Sequence, residues 1–517
     1  MVALLGDGAP MRKSGTSGLR RCHIAPPGAK AETWVRREVL ISLAFLVLPS
    51  LVMWLVLYPG YFQADHQKSI ALIAAGEPSQ WHSLVWGYFA FPFLYFAPSY
   101  ACYGLVQIAL FCAASFFSVW KLRKMGFVRS LVPLSALFGL FPTFLLYNLL
   151  YCSDIIFSYA LMPLTVMLME ITITRGTALR SQRFCLGLLA LVVLVCCLRK
   201  QAMLIPVALL VALPLLFRAV WRQGVLVVGG GLAIACLVNA SFPALVGATP
   251  SPSQEMLSVP TTQIAYVVAH DGDIPEGIEE ELYSLRSEEE WRDSYQSYSA
   301  DKAKAGINMS FDLIESWVIL GFHNPGMYMQ AYMQLMHPFW EFADTSLDPS
   351  AGYSCGSSID FEDYDSMTID VANEYEGDVS ERYLVQFGQE KSDAWHVPSR
   401  LYELVNNSHL PVITDMTTMV LFNRALPLWV AVFGLAYALR QRFCREYLFV
   451  VLPVACTLVA FLCFAPVSLF RYAMEMYYTI PIILVFLLRY RRVASMRDAS
   501  VLPARFVRCK RKLPVRR

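Results

Sequence analysis

Apolar residues come in runs of about twenty along this chain, the length a helix needs to cross a bilayer core, and short polar breaks separate them. The pattern stops once, between Thr249 and Thr418, where polar and acidic positions take over. It predicts an all-α polytopic membrane protein of about ten transmembrane helices. They fall near Val39–Tyr58, Tyr100–Val119, Leu131–Asn148, Ile155–Thr172, Phe184–Leu198, Ala202–Phe217, Val225–Val246, Val420–Leu439, Tyr447–Phe464 and Met474–Leu488. Ser83–Phe96 is also apolar and reads as a re-entrant or interfacial helix, or as part of the second span. The resulting organisation is a polar tail (1–37), a membrane part (38–248) with a first loop at 59–82, an acidic loop domain (249–418), closing membrane helices (419–490) and a basic tail (491–517). The first run lacks a small-residue cleavage site, which reads as a retained helix rather than a signal peptide.

Charge adds a direction. The loops Lys121–Lys124, Arg175–Arg183, Arg218–Arg222, Arg440–Arg445 and Arg489–Arg492 carry Lys and Arg and fall on one side in the ten-span register. Short basic loops stay in the cytoplasm, so a multi-pass plasma-membrane protein with both termini cytoplasmic is expected. The long loop then lies outside, and it holds 30 of the 40 Asp and Glu residues against seven Lys and Arg. The net charge of +2 hides this asymmetry. With 56% hydrophobic residues and no continuous basic stripe, nucleic-acid binding is excluded.

Most of the 13 cysteines sit inside apolar runs and only Cys355 falls in the long loop, so a disulfide scaffold is not expected. No CxxC or His/Cys cluster suggests zinc. Within the long loop, Pro260–Leu285 reads as helical with a break near Ile274–Gly277, followed by helical spacing over Phe311–Phe322 and Met327–Met336. Met327, Tyr328, Tyr332, Met333, Leu335 and Met336 suggest a face lying on the membrane. Asp344–Asp378 reads as a solvated acidic stretch; the spacing of Asp360, Glu362, Asp363 and Asp365 does not fit a calcium loop. Gly229-Gly230-Gly231 reads as close helix packing.

Charges at membrane depth are costly and mark function by default. Asp65 follows a helix stop at Pro59-Gly60 and either caps a helix from His66 to Ala75, closed by Gly76, or accepts a proton from a hydroxyl nucleophile. His66, Gln67 and His82 are candidate substrate contacts beside it. Arg199 and Lys200 stand at the outer end of the fifth span, against the charge rule. They either snorkel to headgroups or bind the phosphate of a lipid-linked substrate. Arg471-Tyr472 repeats that argument in a second loop. Asp154 caps the fourth span or serves as a second carboxylate for an acceptor or a metal.

Tyr58-Pro-Gly, Asp65, Gln67, Asp154, Leu198-Arg199, Pro260–Ala265, Asn324–Tyr328, Arg471-Tyr472 and Pro481 together resemble a bacterial family of multispanning proteins. That family is similar in layout to the GT-C glycosyltransferases. The resemblance implies a GT-C-like fold with a large extracytoplasmic insertion and a transferase that takes sugar from a polyprenyl-phosphate carrier at the outer leaflet. The acceptor would be a glycan, lipid or protein. Asp65 would be the catalytic base, with Arg199, Lys200 and Arg471 offsetting the leaving phosphate. No cofactor is required by it, and a divalent cation is left open. Many GT-C enzymes pair two acids in the first outer loop, whereas Asp65 is followed by His66. A transporter or flippase of lipid-linked glycans, or a glycan polymerase or ligase, would place similar charges outside.

Overall fold

The computed structural model describes residues 29–58, 60–62, 64–97, 99, 101–297, 299–342 and 421–509. Tail residues 1–28 and 510–517, the acidic stretch from Asp344 with Cys355, and the first residue of the expected Val420–Leu439 span lie outside them. The described chain is almost entirely helical. Its first part comprises α1 (Ala29–Val56), α2 (Ala64–Ala75), α3 (Leu84–Phe91, running on as a wider turn to Phe96), α4 (Ala101–Met125), α5 (Val132–Leu140), α6 (Pro142–Tyr147) and α7 (Ser153–Ile173). α8 (Gln182–Leu198), α9 (Leu204–Leu216) and α10 (Trp221–Val246) follow. A polar region holds α11 (Ser258–Ala269), α12 (Glu276–Leu285), α13 (Glu288–Ser294), α14 (Asp301–Lys304), α15 (Phe311–His323) and α16 (Pro325–Met336). The chain returns through α17 (Leu426–Arg440), α18 (Cys444–Phe464), α19 (Phe470–Tyr477) and α20 (Ile480–Cys509).

The ten-span expectation is corrected. Among the described residues five helices are long and apolar enough to cross a membrane, in α1, α4, α7, α10 and α18, and the pair α19 and α20, bent by 42°, makes a sixth. The other four apolar runs fall short for local reasons. Leu131–Asn148 breaks at Phe141-Pro142 into α5 and α6, because proline opens a new helix more readily than it continues one. α8, α9 and α17 have 17, 13 and 15 residues, about 20–26 Å at 1.5 Å per residue, against roughly 30 Å of hydrocarbon. α3 is separate from α4, so Ser83–Phe96 is an element of its own.

α7 is the axis of the bundle: every residue but Glu170 is buried, and α4, α8, α18, α19 and α20 pack around it. The peripheral helices show the converse. Leu48 and Val52 on α1 and Leu226, Leu237 and Leu245 on α10 are exposed, an apolar surface too extensive for water and suited to acyl chains. α1 and α5 approach closely at Gly139, where a Cβ would fall 1.8 Å from the Phe45 carbonyl oxygen. At the end of the bundle away from Asp154, Lys121 pairs with Glu170 at 2.6 Å and Arg123 pairs with Glu38, which also accepts from the Leu131 amide at 2.6 Å.

The polar region has its own core around Ile264, Val267, Leu282, Trp291, Leu313 and Leu320. The sequence anticipates α11, α12, α15 and α16 and the break before α12, but not α13 or α14. It misreads the face on α16, since Leu335 and Met336 are buried, Met327 and Tyr328 pack into the core, and only Met333 of that set is exposed. Tyr332 instead donates to the Leu462 carbonyl at 3.0 Å, and Ala300 donates to the Pro466 carbonyl at 2.7 Å, tying the region to the bundle beside α19.

Candidate functional site

Two short strands place the first carboxylates. Tyr61–Phe62 pairs in parallel with Leu150–Tyr151, Phe62 opposite Tyr151. Asp65 lies three residues beyond Phe62 and Asp154 three beyond Tyr151, each in the first turn of the helix that follows its strand. Parallel register therefore brings the two carboxylates to the same level. Gly60 permits the approach: its φ is +105°, and a Cβ there would stand 2.2 Å from the Tyr151 hydroxyl. α2 closes as expected at Gly76, with Gly76 donating to Ile73 and Glu77 to Leu72 in a Schellman arrangement. Asp65 and Asp154 occupy first-turn positions inside their helices and not the N-cap, so the cap reading of both is corrected.

Two other segments bring the cations. Arg199 ends α8 in extended conformation, with its backbone amide donating to the Val195 carbonyl. Its Nη2 lies 3.1 Å from Asp154 Oδ2 and also binds the Glu475 carboxylate. Arg471 lies in the first turn of α19, all of which is buried, and one turn before Glu475. Its Nε is 3.5 Å from Asp154 Oδ2 and its Nη1 3.7 Å from Asp65 Oδ2. The Tyr472 ring lies between the guanidiniums, 5.0 Å from Arg471 and 5.7 Å from Arg199, and its hydroxyl accepts from Arg471 at 3.2 Å. An ordered chain results: Asp65, Arg471, Asp154, Arg199, Glu475.

Exposure separates the acids. The Asp65 side chain is 34% exposed, against 2% for Asp154 and 1% for Glu475. Only Asp65 of the three can meet a reactant; the others anchor the arginines. Arg471 has one hydrogen bond among the described residues, leaving Nε and Nη1 without one, as is Arg199 Nε. Buried donors of this kind are costly unless something accepts from them.

His66 supports the same wall. Its Nε2 is 2.8 Å from Ser153 Oγ, which donates to Asp154 Oδ1 at 3.1 Å, so the imidazole reaches Asp154 through a hydroxyl. His66 stacks on His82 at 4.3 Å and meets Trp86 edge-on at 5.0 Å. Burial, and after it the neighbouring imidazole and guanidiniums, holds His66 well below its ordinary value. Burial also lowers His82, to about 4, although Asp65 and Asp154 oppose the shift. Both rings are neutral at physiological pH.

The structure thus gathers Asp65, His66, His82, Asp154, Arg199, Arg471 and Tyr472 into one site. Gln67 is buried beside them, its Nε2 without a hydrogen bond among the described residues. Lys200 is not part of the cluster: its ammonium turns away to the Gln80 carbonyl at 2.8 Å. Glu475 and Ser153 are additions. Glu475 carried a usable signal, an acid four residues after Arg471 in an apolar segment, but a span drawn from Met474 absorbs it. Among the described residues no group of three or more His, Cys, Asp and Glu side chains has a metal-holding arrangement; the acids face guanidiniums instead. A narrow cleft flanked by Phe157 and Phe461 adjoins Arg199 and Glu475.

These features define an all-α protein with membrane-capable helices and a buried ionic site at one end of the bundle. No family model, no curated protein and no solved structure matches the chain.

Proposed function

We propose that this protein is a membrane glycosyltransferase of GT-C-like layout that moves a sugar from a polyprenyl-phosphate carrier to a glycan, lipid or protein acceptor on the extracytoplasmic side of the plasma membrane. The observation that carries the reading is the accessible Asp65 carboxylate held 3.7 Å from the buried Arg471 guanidinium, whose donors are largely unused. Asp65 takes the proton of the acceptor hydroxyl as its oxygen attacks the anomeric carbon. The bond from that carbon to the phosphate oxygen breaks, and the electron pair leaves with the prenyl phosphate. Arg471 and Arg199 offset the charge that develops there, a stabilisation that is strong where water is excluded. Asp154, Glu475 and Ser153 hold the arginines and position His66. The basic loops, gathered at the opposite end, support cytoplasmic termini.

Replacing Asp65 with Asn tests the reading. Transfer from polyprenyl-phosphate sugar in membranes falls by about 10²–10⁴-fold, the usual worth of a general base, while the protein accumulates and still binds donor. Undiminished transfer would remove Asp65 from the mechanism. One observation favours a rival: three carboxyl groups face two guanidiniums, one acid more than the arginines, which suits a proton-coupled carrier of lipid-linked glycans. Movement of labelled lipid-linked glycan across vesicles without sugar transfer would select that reading.

A further inference from the structure

α16 turns two rows of side chains outward. Met329 and Met333, 60% and 43% exposed, stand one turn apart. Gln330 and Gln334, also exposed, stand one turn apart in the next row round the helix. Neighbouring phenols fix the two amides: the Tyr266 hydroxyl on α11 donates to Gln330 Oε1 at 2.9 Å, and the hydroxyl of Tyr295, just past α13, donates to Gln334 Oε1. Each amide oxygen is thus occupied, while the two N–H groups of each Nε2 have no acceptor among the described residues. The rings behind them are locked together. Tyr266 stacks on His270 at 4.0 Å and meets Tyr295 edge-on at 5.1 Å. His270 is exposed, and its Nδ1 is held 2.8 Å from the Tyr266 carbonyl oxygen. The face carries no charged side chain of its own, although its region is rich in acids; the adjoining Asp271 is paired with Arg292, which Glu288 also holds. On its other side α16 is fastened to the bundle by Tyr332 and by the Leu335 carbonyl, which accepts from Ser468 Oγ three residues before Arg471. The face therefore stands at the end of the bundle that holds the ionic site.

We propose that this face of α11 and α16 binds a neutral glycan. A pyranose ring presents C–H groups on its faces and hydroxyls round its edge, and the two rows divide in the same way. Met329, Met333 and the His270 ring receive the C–H faces, and the four N–H groups of Gln330 and Gln334 donate to hydroxyl oxygens. Each row repeats after one helical turn, about 5.4 Å, close to the length of one sugar unit, so successive units of a chain meet successive pairs of side chains. A nucleic acid or an acidic polymer needs cations that the face lacks. An acyl chain or an apolar peptide segment would cover the amides and leave their N–H groups unpaired, at a cost. The role of the bound glycan as acceptor rests on the transferase reading above; the binding itself does not.

The test is binding of labelled maltotetraose, mannotetraose and galactotetraose to the full-length protein in nanodiscs, with tetragalacturonic acid as the charged counterpart. At least one neutral tetrasaccharide is expected to bind about tenfold or more tightly than the acidic one. Gln330→Glu and Gln334→Glu, made together, keep an oxygen for each phenol to bond but remove the four outward N–H groups. That paired variant should bind the neutral tetrasaccharide about tenfold or more weakly, and an unchanged melting temperature shows that the exposed sites have not disturbed the fold. Binding lost in the paired variant supports the surface even if the unmodified protein transfers no sugar, an outcome that would overturn the transferase reading alone. Neutral glycan binding that is unchanged in the paired variant overturns the surface and leaves the transferase reading standing. Equal or tighter binding of tetragalacturonic acid overturns the assignment to a neutral ligand, and no binding of any of the three neutral tetrasaccharides overturns the proposal outright.

Discussion

The two ends of the helical bundle handle charge in opposite ways. At the end that holds Glu170, two cations each have their own acid: Lys121 with Glu170 at 2.6 Å, both about a quarter exposed, and Arg123 with Glu38, whose second oxygen takes the Leu131 amide. These contacts join α4 to α7 and α4 to α1, and their polar atoms are satisfied. At the other end Arg199 and Arg471 share Asp65, Asp154 and Glu475 in the interior, at distances up to 3.7 Å, with donors left over. Complete pairs, no more than about a quarter exposed, fasten helix ends. The buried network leaves Arg199 Nε and Arg471 Nε and Nη1 without a hydrogen bond among the described residues.

The largest expected effect breaks the buried end. Arg471→Met leaves Asp154 facing Arg199 and removes the guanidinium beside Asp65. Stranding buried charge costs about 3–5 kcal/mol, so the thermal midpoint in detergent should fall markedly, and sugar transfer should fall by about 10²–10³-fold through loss of a charge-stabilising donor. A variant with native stability and native transfer would show that the two ends of the bundle do not differ as described.

The histidine pair sharpens the comparison at intermediate scale. An unfolded imidazole takes its proton near pH 6.5, whereas folded His82 takes it only near pH 4 because burial opposes the charge, and His66 behaves in the same sense. The folded chain therefore binds fewer protons than the unfolded chain between these values, and stability falls as pH drops from about 6.5 toward 4. Melting curves from pH 7.5 to 5.5 should show this decline, and a variant with both His66 and His82 replaced by Phe should show a shallower one. Equal slopes would mean that the two imidazoles are not held neutral by their surroundings.

Much of this site was legible in the sequence, for one physical reason: charge in an apolar setting has to be explained. Asp65, Asp154, Arg199 and Arg471 stand out in that way without any knowledge of the fold. Their meeting does not, because it depends on a two-residue parallel pairing too short to leave a periodic pattern, and on Gly60 allowing Tyr151 to come close. Lys200 was grouped with Arg199 by adjacency, yet successive residues in the extended-to-turned backbone at 199–200 send their side chains apart. The span count failed because hydropathy measures greasiness and not length; α9 is as apolar as any span and has 13 residues. Glu475 was hidden by the same averaging, one acid inside a run drawn as membrane.

The smallest effect belongs to the satisfied end. Lys121→Met removes a pair whose members are 24% and 23% exposed, where Coulomb energy is weakened by nearby water and part of it is spent on ordering two long side chains. The expected loss is under about 1 kcal/mol. Lys121 also stands 5.8 Å from the Phe117 ring and 5.7 Å from the Phe184 ring, contacts a methionine largely keeps through its apolar stem. Melting temperature should therefore move by only a few degrees and sugar transfer should not change. If Lys121→Met abolished transfer in a protein that still folds, charge at the Glu170 end would be coupled through the buried length of α7 to Asp154, and the division between a fastening end and a working end would have to be abandoned.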